Sequence, residues 1–581
     1  MSVRGLKAVL TILAEKSEVT SEQFENNEVA ESLFLLPQEE FYKDIDIDRL
    51  KTGIDKLVIL KKELLNHPEY KYVQLIYKVL LLVFSNTTQK ERQYDLEDLL
   101  DHFHDALREK LLKSTDSVPI MSKLAYHKLI RKCLPLIKLE LVQKLLKKYL
   151  AAKVQYSSGL KIAIGELYEC VCFTRILREE CYVIAKKKLG TSDFDLKKID
   201  LLDMDERGGS LGSYAKLKIF VEHAGKPTVL QFFAKFVLEQ GEVLRMMSEG
   251  GFKKEVFMYT VFVPLLKDMG LENLVDFLPV CYLVRPDEMI LLDDLSYKGY
   301  SSLDVSNSFH HDHLLKSITP LAKLHATSLV FEKKLSDFLE TTTTIDEYYK
   351  EYLEEIFYMT GNGFESLVQC FVKYFLEKFP DIPKKLTAEV IKEKIDVQIN
   401  KWFNAVKNSE YPKVLCHGDT WCNNIMFQHD GREKTDKCYF VDYQLTRYCP
   451  PAFEILGFIY CTTDKKTRSK YKEYVLESYY NELETHLKEH EVKIENIYPF
   501  DTFMKSCESI KLFSIFHALV YLHYILIPKD ILEKMKRDKK LMEKLMSDDR
   551  RKLLEVCWDH MPFRMRLKEL IEEICEICED M

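Results

Sequence analysis

The sequence predicts an α+β protein, in which an all-helical N-terminal region precedes a small β-rich unit and a mainly helical remainder. Three observations predict this class. Helical patterning with almost no glycine continues to about residue 165, β-branched runs cluster near residues 200 to 240, and short strand-like pieces interrupt helical patterns after residue 410. A chain of 581 residues has room for two to four domains of about 100 to 200 residues each.

The composition is that of a folded protein and excludes some classes of partner. Apolar residues make up 46% and charged residues 30% of the chain, as in ordinary globular proteins. A net charge of −8 and a pI near 6.1 argue against a nucleic-acid partner and against an anionic membrane surface. The 15 cysteines show no disulfide framework, which suits a reducing compartment. We therefore expect a cytoplasmic protein.

The first region, residues 1–165, is expected to be an all-helical domain. In "LVQKLLKKYL", residues 141–150, apolar side chains share one face and lysines the other. Packed helical hairpins, of the kind found in α-solenoids, would explain the pattern, although no repeat of fixed period is present. The region carries no readable chemistry, and a protein partner is the role we expect for it. The longest apolar runs, at 72–84 and 512–527, contain polar residues and are too short to span a membrane, so no stable membrane insertion is expected.

The second region, residues 166–295, is expected to be β-rich. The glycines Gly208, Gly209 and Gly212 come first, and then "HAGKP" supplies a turn between two apolar, β-branched runs. The helical pattern "GFKKEVFMYTVFVPLL" follows. The region closes with "EMILLDDL", an apolar strand that ends in two aspartates.

The third region, residues 296–581, is mainly helical and contains the polar stretch "VLCHGDTWCNNIMF". Asp419, Asn424 and Asp442 each lie beside a short strand-like piece, and their oxygens are the hard ligands that magnesium prefers. The spacing from Asp419 to Asn424 is the D-x-x-x-x-N of kinase catalytic loops, in which the aspartate accepts the substrate hydroxyl proton and the asparagine holds a metal. Asp442 follows the strand "CYFV", at the place of the aspartate in D-F-G. This spacing predicts a phosphate-handling magnesium site.

A kinase-like site also needs a lysine on a strand and a glutamate on the next helix. Lys235 ends the apolar segment "VLQFFAK", and Glu255 lies in "FKKEVFMY" about twenty residues later. Without such a site, Lys235 would be an ordinary exposed strand lysine and Glu255 one charge among several on a solvated helix face.

Four segments carry a family resemblance: "HGDTWCNN", "FVDYQLTRY", "LLDDLSYKGY" and "LAKLHATSL". From about residue 170 to the C-terminus, the chain resembles the insect ecdysteroid kinase-like family, also called the CHK kinase-like family, which is similar to choline kinases and aminoglycoside phosphotransferases. The resemblance implies a bilobal protein-kinase-like fold, with the β-rich unit as the N-lobe and residues 296–581 as the C-lobe. It does not extend to the N-terminal helical region.

The resemblance also implies roles for individual residues. Asp419 would be the catalytic aspartate, Asn424 and Asp442 the magnesium ligands, and Lys235 the phosphate-contacting lysine with Glu255 as its partner. The backbone of Met289 to Leu295, including Leu292 and Asp293, would receive adenine, and the three glycines would cover the nucleotide. His417 and His325 would support the catalytic loop, although a histidine on an apolar helix, such as His325, is more often a core residue.

Two departures from the family pattern conserve charge. The family usually has glutamate where this chain has Asp293, and "PALD" where it reads "PAFE" with Glu454. The glycine cluster is looser than a protein-kinase G-x-G-x-x-G.

The sequence therefore predicts a kinase that uses ATP and Mg²⁺ to phosphorylate a hydroxyl of a small molecule, for example an ecdysteroid, another lipophilic alcohol or choline. The alternative is a catalytically inactive kinase-like scaffold, whose N-terminal helices bind a protein partner. Retention of Asp419, Asn424 and Asp442 favours the enzyme, because loss of function would remove such ligands early. A third alternative is that the helical region and the kinase-like region are separate proteins joined by a gene-model error.

Overall fold

A computed structural model gives the conformation of most of the chain beyond residue 63. It describes residues 64, 70–87, 89–113, 121–172, 175–204, 213–237, 242–358, 363–407, 409–429, 435–546 and 550–581.

The first elements are all helical. They are α1 Tyr70–Asn86, α2 Gln89–Lys113, α3 Lys123–Ala151, α4 Lys153–Cys172 and α5 Arg178–Leu189. The apolar faces of α1 to α4 form a core of their own, in which Val79, Leu99 and Ile137 are fully buried. The buried Arg92 donates from Nη2 to both carboxylate oxygens of Glu166, at 2.8 and 2.9 Å. This ion pair offsets two charges that would otherwise be costly inside a helical core.

A five-stranded sheet follows the helices. Its strands are β1 Phe194–Asp203, β2 Ser213–His223, β3 Lys226–Phe236, β4 Cys281–Arg285 and β5 Met289–Asp293, arranged in the order β1-β2-β3-β5-β4. The turn predicted at "HAGKP" joins β2 to β3, with positive φ at Ala224 and Gly225, as in the tight turns that suit twisted hairpins. In the antiparallel pair β3–β5, Lys235 lies opposite Ile290.

Between β3 and β4 the chain is helical. Helix α6 Glu242–Phe257 continues into a π-helical turn, Met258–Phe262, and then into α7 Val263–Asp268. The helix α6 follows β3 directly in the chain, so it carries Glu255 back beside the strand that carries Lys235.

The rest of the chain is mainly helical. Its helices are α8 His311–Leu339, α9 Ile345–Tyr348, α10 Lys350–Leu353, α11 Phe364–Lys378, α12 Ala388–Lys407, α13 Pro451–Thr462, α14 Lys465–Lys488, α15 Phe500–Ile525, α16 Lys529–Arg537, α17 Lys539–Leu545, α18 Arg551–Cys557 and α19 Met561–Asp580. Helix α13 is buried on every side, which explains why its sequence is almost uninterruptedly apolar.

Two small sheets are inserted among these helices and hold the polar loops. The strands β7 Val414–Cys416 and β10 Arg447–Cys449 pair with each other, and β6 Tyr300–Ser301, β8 Ile425–His429 and β9 Thr435–Phe440 pair in the order β6-β8-β9. Asp419 and Asn424 therefore lie between β7 and β8, and Asp442 lies between β9 and β10. The pairing of these short strands brings the two loops together.

The described residues of Met1–Leu201 and of Leu217–Leu230 form one compact unit, and those of Leu202–Lys216 and Gln231–Met581 form another. The predicted α+β class, with helices first, then a small antiparallel sheet and then a mainly helical part, is confirmed. The predicted boundaries at residues 165 and 295 stay a prediction.

No single helix in the described ranges is both long and apolar enough to cross a membrane. Helix α15 passes such a test only when it is taken with Lys529–Met535, and a bend of 78° separates the two.

Candidate active site

Lys235 lies at the centre of a buried charge cluster. Its Nζ donates to Glu255 Oε2 at 2.5 Å and to Asp442 Oδ1 at 2.6 Å, and it lies 3.4 Å from Gln444 Oε1. Burial alone would lower the pKa of Lys235, but the charges of Asp442 and Glu255 hold it above its ordinary value. Burial raises the pKa of Glu255, and Lys235 opposes that shift. The lysine therefore stays a cation between two carboxylates.

Asp419 and Asn424 form a second buried pair. The amide Nδ2 of Asn424 donates to Asp419 Oδ2 at 2.7 Å and to the backbone oxygen of Asp419 at 3.0 Å. A short 3₁₀ turn, Cys422–Asn424, makes this geometry possible, because it folds the chain back between the two residues. Both amide hydrogens are thus used by Asp419, and the carbonyl oxygen Oδ1 is the atom left to act as a ligand.

Asp442 has a strained backbone. Its φ of 70° and ψ of 70° lie in the left-handed region, which costs a non-glycine residue about 1 to 3 kcal/mol. Strain of this kind persists only where the surroundings fix the conformation, and it concentrates at functional sites. Asp442 is also the more accessible carboxylate of the Lys235 cluster, with 20% of its side chain exposed against 1% for Glu255.

His417 supports the loop between β7 and β8 through both ring nitrogens. Its Nδ1 accepts from the backbone N–H of Asp419 at 3.2 Å, and its Nε2 lies 3.0 Å from the backbone oxygen of Val441. Only a neutral ring with hydrogen on Nε2 satisfies both contacts. Burial, which lowers the pKa of His417, favours the same neutral form. The histidine thereby connects the Asp419 loop to the residue before Asp442.

Glu454, in the first turn of α13, is the main support that sequence reasoning missed. Its carboxylate accepts from the backbone N–H groups of His417 at 3.0 Å and Gly418 at 2.6 Å. It also lies 2.8 Å from His325 Nε2, and His325 Nδ1 lies 2.6 Å from the hydroxyl of Tyr479. Burial would raise the pKa of Glu454, but the hydrogen bond from His325 and its neighbours hold it below the ordinary value.

The signal for Glu454 was present in the sequence. A single carboxylate in an otherwise apolar helix must have buried partners, and "PAFEILGFIYC" contains only that one charge. His325 acts through Glu454 and is fully buried, so the structure joins its two candidate roles, as a core histidine and as a support of the loop.

Gly418 is required by a close approach of two backbone segments. Its φ is 78°, and a Cβ at this position would lie 2.1 Å from the backbone oxygen of Leu445. The residue before Asp419 therefore packs directly on the loop that follows Asp442. No side chain fits there.

The surroundings of Asp419 shift its ionisation. Burial, together with the negative charge of Asp442, raises the pKa of Asp419 to about 7, and hydrogen bonds from Tyr521 and Asn424 oppose this shift. Tyr521 comes from α15, about a hundred residues later, and its hydroxyl also lies 3.4 Å from the backbone oxygen of Gly418. A carboxylate with a pKa near neutrality is suited to accept a proton at physiological pH.

A second set of buried charges surrounds the loop after Asp442. Lys254 Nζ donates to the backbone oxygen of Thr446 at 2.8 Å, and Arg447 Nε donates to the backbone oxygen of Leu445 at 3.3 Å. Glu355 lies 3.6 Å from Arg447 Nε. Burial lowers the pKa of Lys254 to about 8, and the charge of Glu355 opposes that shift.

Two further predicted residues, Leu292 and Asp293, have their contacts outside this centre. Leu292 and Asp293 end β5, next to the strand of Lys235, and their backbones take part in the sheet. The carboxylate of Asp293 contacts Lys298 Nζ at 2.6 Å, so it is engaged outside the charge cluster of Lys235. The glycine cluster, Gly208, Gly209 and Gly212, lies outside the described residues.

The donor set fits a divalent cation with a phosphate ligand. Asn424 offers a carbonyl oxygen and Asp442 offers carboxylate oxygens, which are ligands of the kind Mg²⁺ takes. Lys235 supplies a buried cation beside Asp442. His325, Cys416 and Glu454 also lie close together, but the backbone and histidine contacts of Glu454 already explain that group.

The comparisons agree with the motifs. Residues 214–492 match the model of the Ecdysteroid kinase-like family. Choline kinase from Cryptosporidium parvum Iowa II is similar in structure, with 11% identity, a TM-score of 0.31 and coverage of 62% of this chain and 93% of that chain. The GDP and kanamycin complex of APH(2")-IIia is also similar, with 12% identity, a TM-score of 0.28 and coverage of 65% and 98%. No curated protein matches the chain.

Over residues 214–492, the family match confirms the resemblance predicted from the motifs. The matched segment begins in β2 and contains Lys235, Glu255, Asp419, Asn424 and Asp442. The predicted kinase-like fold class is confirmed with it. The N-terminal helices lie outside the match.

Proposed function

Because residues 214–492 match the ecdysteroid kinase-like family, we propose that the chain is a kinase that uses ATP and Mg²⁺ to phosphorylate a hydroxyl group of a small molecule. The observation that carries the proposal is the meeting of Lys235, Glu255 and Asp442 within 2.6 Å contacts. Lys235 and Asp442 are 207 positions apart in the chain, and packing alone does not require them to share a charge cluster. Phosphoryl transfer uses a lysine, its glutamate partner and a metal-binding aspartate at one place.

In the proposed reaction, Asp419 receives the proton of the acceptor hydroxyl. The acceptor oxygen forms a bond to the γ-phosphorus of ATP, the bond from that phosphorus to the bridging oxygen breaks, and ADP leaves with the electron pair. Asn424 holds Asp419 in place through its amide, and the oxygen of that amide together with the Asp442 carboxylate would hold the cation. Magnesium, when bound, supplies charge neutralisation for the phosphate oxygens.

Lys235 would contact the nucleotide phosphates. In the structure its Nζ is fixed between Glu255 and Asp442, so it points to the carboxylate that would bind the cation. A buried ammonium held in this way costs little reorganisation when negative charge develops on the phosphoryl group. Adenine would lie against the backbone at the end of β5, near Leu292 and Asp293.

The acceptor class proposed is an ecdysteroid, another lipophilic alcohol or choline. An inactive scaffold would not need an aspartate with a raised pKa next to an asparagine and a second carboxylate. The N-terminal helices remain proposed as a surface for a protein partner.

Thermal unfolding with Mg²⁺ and ATP tests the nucleotide site. A ligand at 100 times its dissociation constant adds about 2.7 kcal/mol to the stability of the protein that binds it, which raises the melting temperature of the unit by a few degrees. We expect ATP to stabilise the wild type only when Mg²⁺ is present, and Asp442→Asn to abolish the effect. Asp436→Asn, six residues earlier in the same part of the chain, is the control and should respond like the wild type.

Stabilisation by ATP that needs no Mg²⁺, or an Asp442→Asn variant that responds like the wild type, would contradict the proposed cation site. If millimolar ATP with Mg²⁺ does not change the melting temperature of the wild type, the inactive scaffold becomes the better interpretation.

A further inference from the structure

Two consecutive lysines on α6 have opposite surroundings. Lys253 is exposed over half of its side chain, with Glu351 as an exposed partner at 3.8 Å, so its ion pair adds little stability. Lys254 is 3% exposed, and its Nζ donates to the backbone oxygen of Thr446 at 2.8 Å. Burial of a charged lysine costs free energy unless the ammonium group finds a hydrogen-bond partner.

The partner of Lys254 is the loop that carries Asp442. After Asp442 the chain makes a 3₁₀ turn, Tyr443–Leu445, and it reaches β10 through Thr446. Asp442 adopts a left-handed conformation, which the loop must hold from both sides. Lys254 binds the backbone oxygen of Thr446, at the far end of this turn. The N–H of Thr446 already bonds to the backbone oxygen of Tyr443 at 3.3 Å, so Lys254 adds a second tie, from another element, to the same residue.

Lys254 shares one face of α6 with Gly251 and Glu255, because residues three and four apart lie side by side on a helix. Gly251 lies against Gln444, where an added Cβ would come within 3.1 Å of the Gln444 backbone oxygen. Glu255 contacts Lys235 and accepts from the backbone of Tyr443. This face therefore meets the loop at its beginning, middle and end.

The charge of Lys254 is balanced by Glu355. Glu355 accepts from the backbone N–H groups of Phe357 and Tyr358 at 2.8 and 3.0 Å, which fixes its carboxylate. The carboxylate lies 3.6 Å from Arg447 Nε, and its negative charge also favours the charged form of Lys254. The charges of Arg447 and Lys254 hold the pKa of Glu355 below its ordinary value, against burial. One carboxylate thus lets two buried cations bind neighbouring backbone oxygens of the same loop.

From these contacts we propose that Lys254 is a positioning residue, which ties the loop of Asp442 to the helix of Glu255 so that the cation-binding carboxylate and Lys235 keep a fixed relation. The inference about the cation rests on the proposed function. The inference about the loop rests on the structure alone.

The test compares Lys254→Met, which keeps the length but loses the donor, with Lys254→Arg, which restores a charged donor. Lys253→Met is the matched control on the same helix. Hydrogen exchange of the backbone amides from Tyr443 to Arg447 is measured in the chain without ligands. In parallel, Mg²⁺ is titrated at fixed ATP, and the concentration that gives half of the ATP-induced rise in melting temperature is recorded.

We expect Lys254→Met to speed exchange in this loop by roughly tenfold or more, because the loop opens locally. The Mg²⁺ concentration for half of the effect should rise about 10- to 100-fold, as is usual when a residue that orients a metal ligand is removed. Lys254→Arg should recover most of both effects, and Lys253→Met should match the wild type.

Unchanged loop exchange in Lys254→Met would overturn the proposal, as would a lower melting temperature with exchange raised equally in all helices. If Lys254→Met does not fold, Lys254→Gln, which keeps an N–H donor without the charge, is held to the same two criteria. A wild type that does not respond to Mg²⁺ and ATP would refute the proposed function, while the exchange result still decides the role of Lys254.

Discussion

At the scale of single residues, the ionisation of Asp419 sets the expected pH dependence. The base must be unprotonated to accept a proton, so kcat/KM should rise with pH through an ionisation near the pKa of about 7. Tyr521→Phe removes a hydrogen bond that lowers this pKa, and it should move the midpoint of the profile to higher pH. Tyr524→Phe, three residues later on α15, is the control. A midpoint that Tyr521→Phe leaves unchanged or lowers would contradict the assignment.

The same shift affects folding. The native state binds the Asp419 proton more tightly than the unfolded chain, since the pKa rises from 3.8 to about 7 on folding. Stability contributed by this group is therefore complete below the unfolded value and decreases as the pH rises between the two values. At neutral pH, the raised pKa of Asp419 therefore lowers the free energy of unfolding.

Gly418 provides a second residue-scale prediction. Gly418→Ala should destabilise the protein by more than about 2 kcal/mol, because a left-handed backbone costs an alanine about 1 to 2 kcal/mol and the Cβ would also collide with the backbone of Leu445. Gly270→Ala is a matched control, since Gly270 has a similar φ of 73° and open space around its Cβ position. Urea unfolding measures both. Equal losses in the two variants would show that the close approach does not matter.

The polar residues of the site differ in how far the sequence predicts them. Spacing along the chain predicts Asp419 and Asn424, because the D-x-x-x-x-N pattern lies within one loop. Asp442 is predicted because it directly follows a short apolar strand. No such pattern predicts Lys254 or Tyr521. Lys254 reads as one of two equivalent helix lysines until the phase of α6 is known, and Tyr521 reaches Asp419 from a distant helix by tertiary packing alone.

At the scale of elements, Glu454 joins helix α13 to the loop before Asp419, because its carboxylate accepts from the backbone N–H groups of His417 and Gly418. Glu454→Gln should lower the stability by about 2 to 3 kcal/mol, because an amide cannot accept from all three donors and would turn its own N–H toward one of them. Glu473→Gln, on an exposed residue of α14, is the control. Denaturant unfolding at neutral pH compares the two, and similar small losses would show that Glu454 does not support the loop.

The pH dependence of this contribution has a definite sign. The native pKa of Glu454 lies below its ordinary value of 4.5, so its stabilisation is present above pH 4.5 and is lost as the pH falls through the native pKa. The Glu454→Gln variant should therefore approach the wild type in stability at acid pH.

The elements themselves were largely predictable. The turn at "HAGKP", the strand before Asp293 and the short strands beside Asp419 and Asp442 follow from alternation and turn residues. What local patterns do not contain is the pairing of β7 with β10, which joins two loops that are separated by about twenty residues of chain. That pairing brings Gly418 against Leu445 and gives the site its geometry.

At the scale of the whole molecule, the sequence predicts the order of helical, β-rich and helical parts, since composition changes where the architecture changes. It does not predict the role of the N-terminal helices. Buried pairs such as Arg92 with Glu166 lie within a helical core, and the sequence of the region contains no motif that names a partner.

The central claim for the whole chain is phosphoryl transfer to an alcohol by Asp419, and the most direct measurement is transfer from γ-labelled ATP to a panel of hydroxylated acceptors that includes steroids and choline. We expect the wild type to label at least one of them with Mg²⁺ present, and Asp419→Asn to lose about 10²- to 10⁴-fold in rate while it keeps its stabilisation by Mg²⁺ and ATP. If Asp419→Asn transfers label as fast as the wild type, or if a wild type stabilised by Mg²⁺ and ATP labels none of the alcohols, the account is wrong.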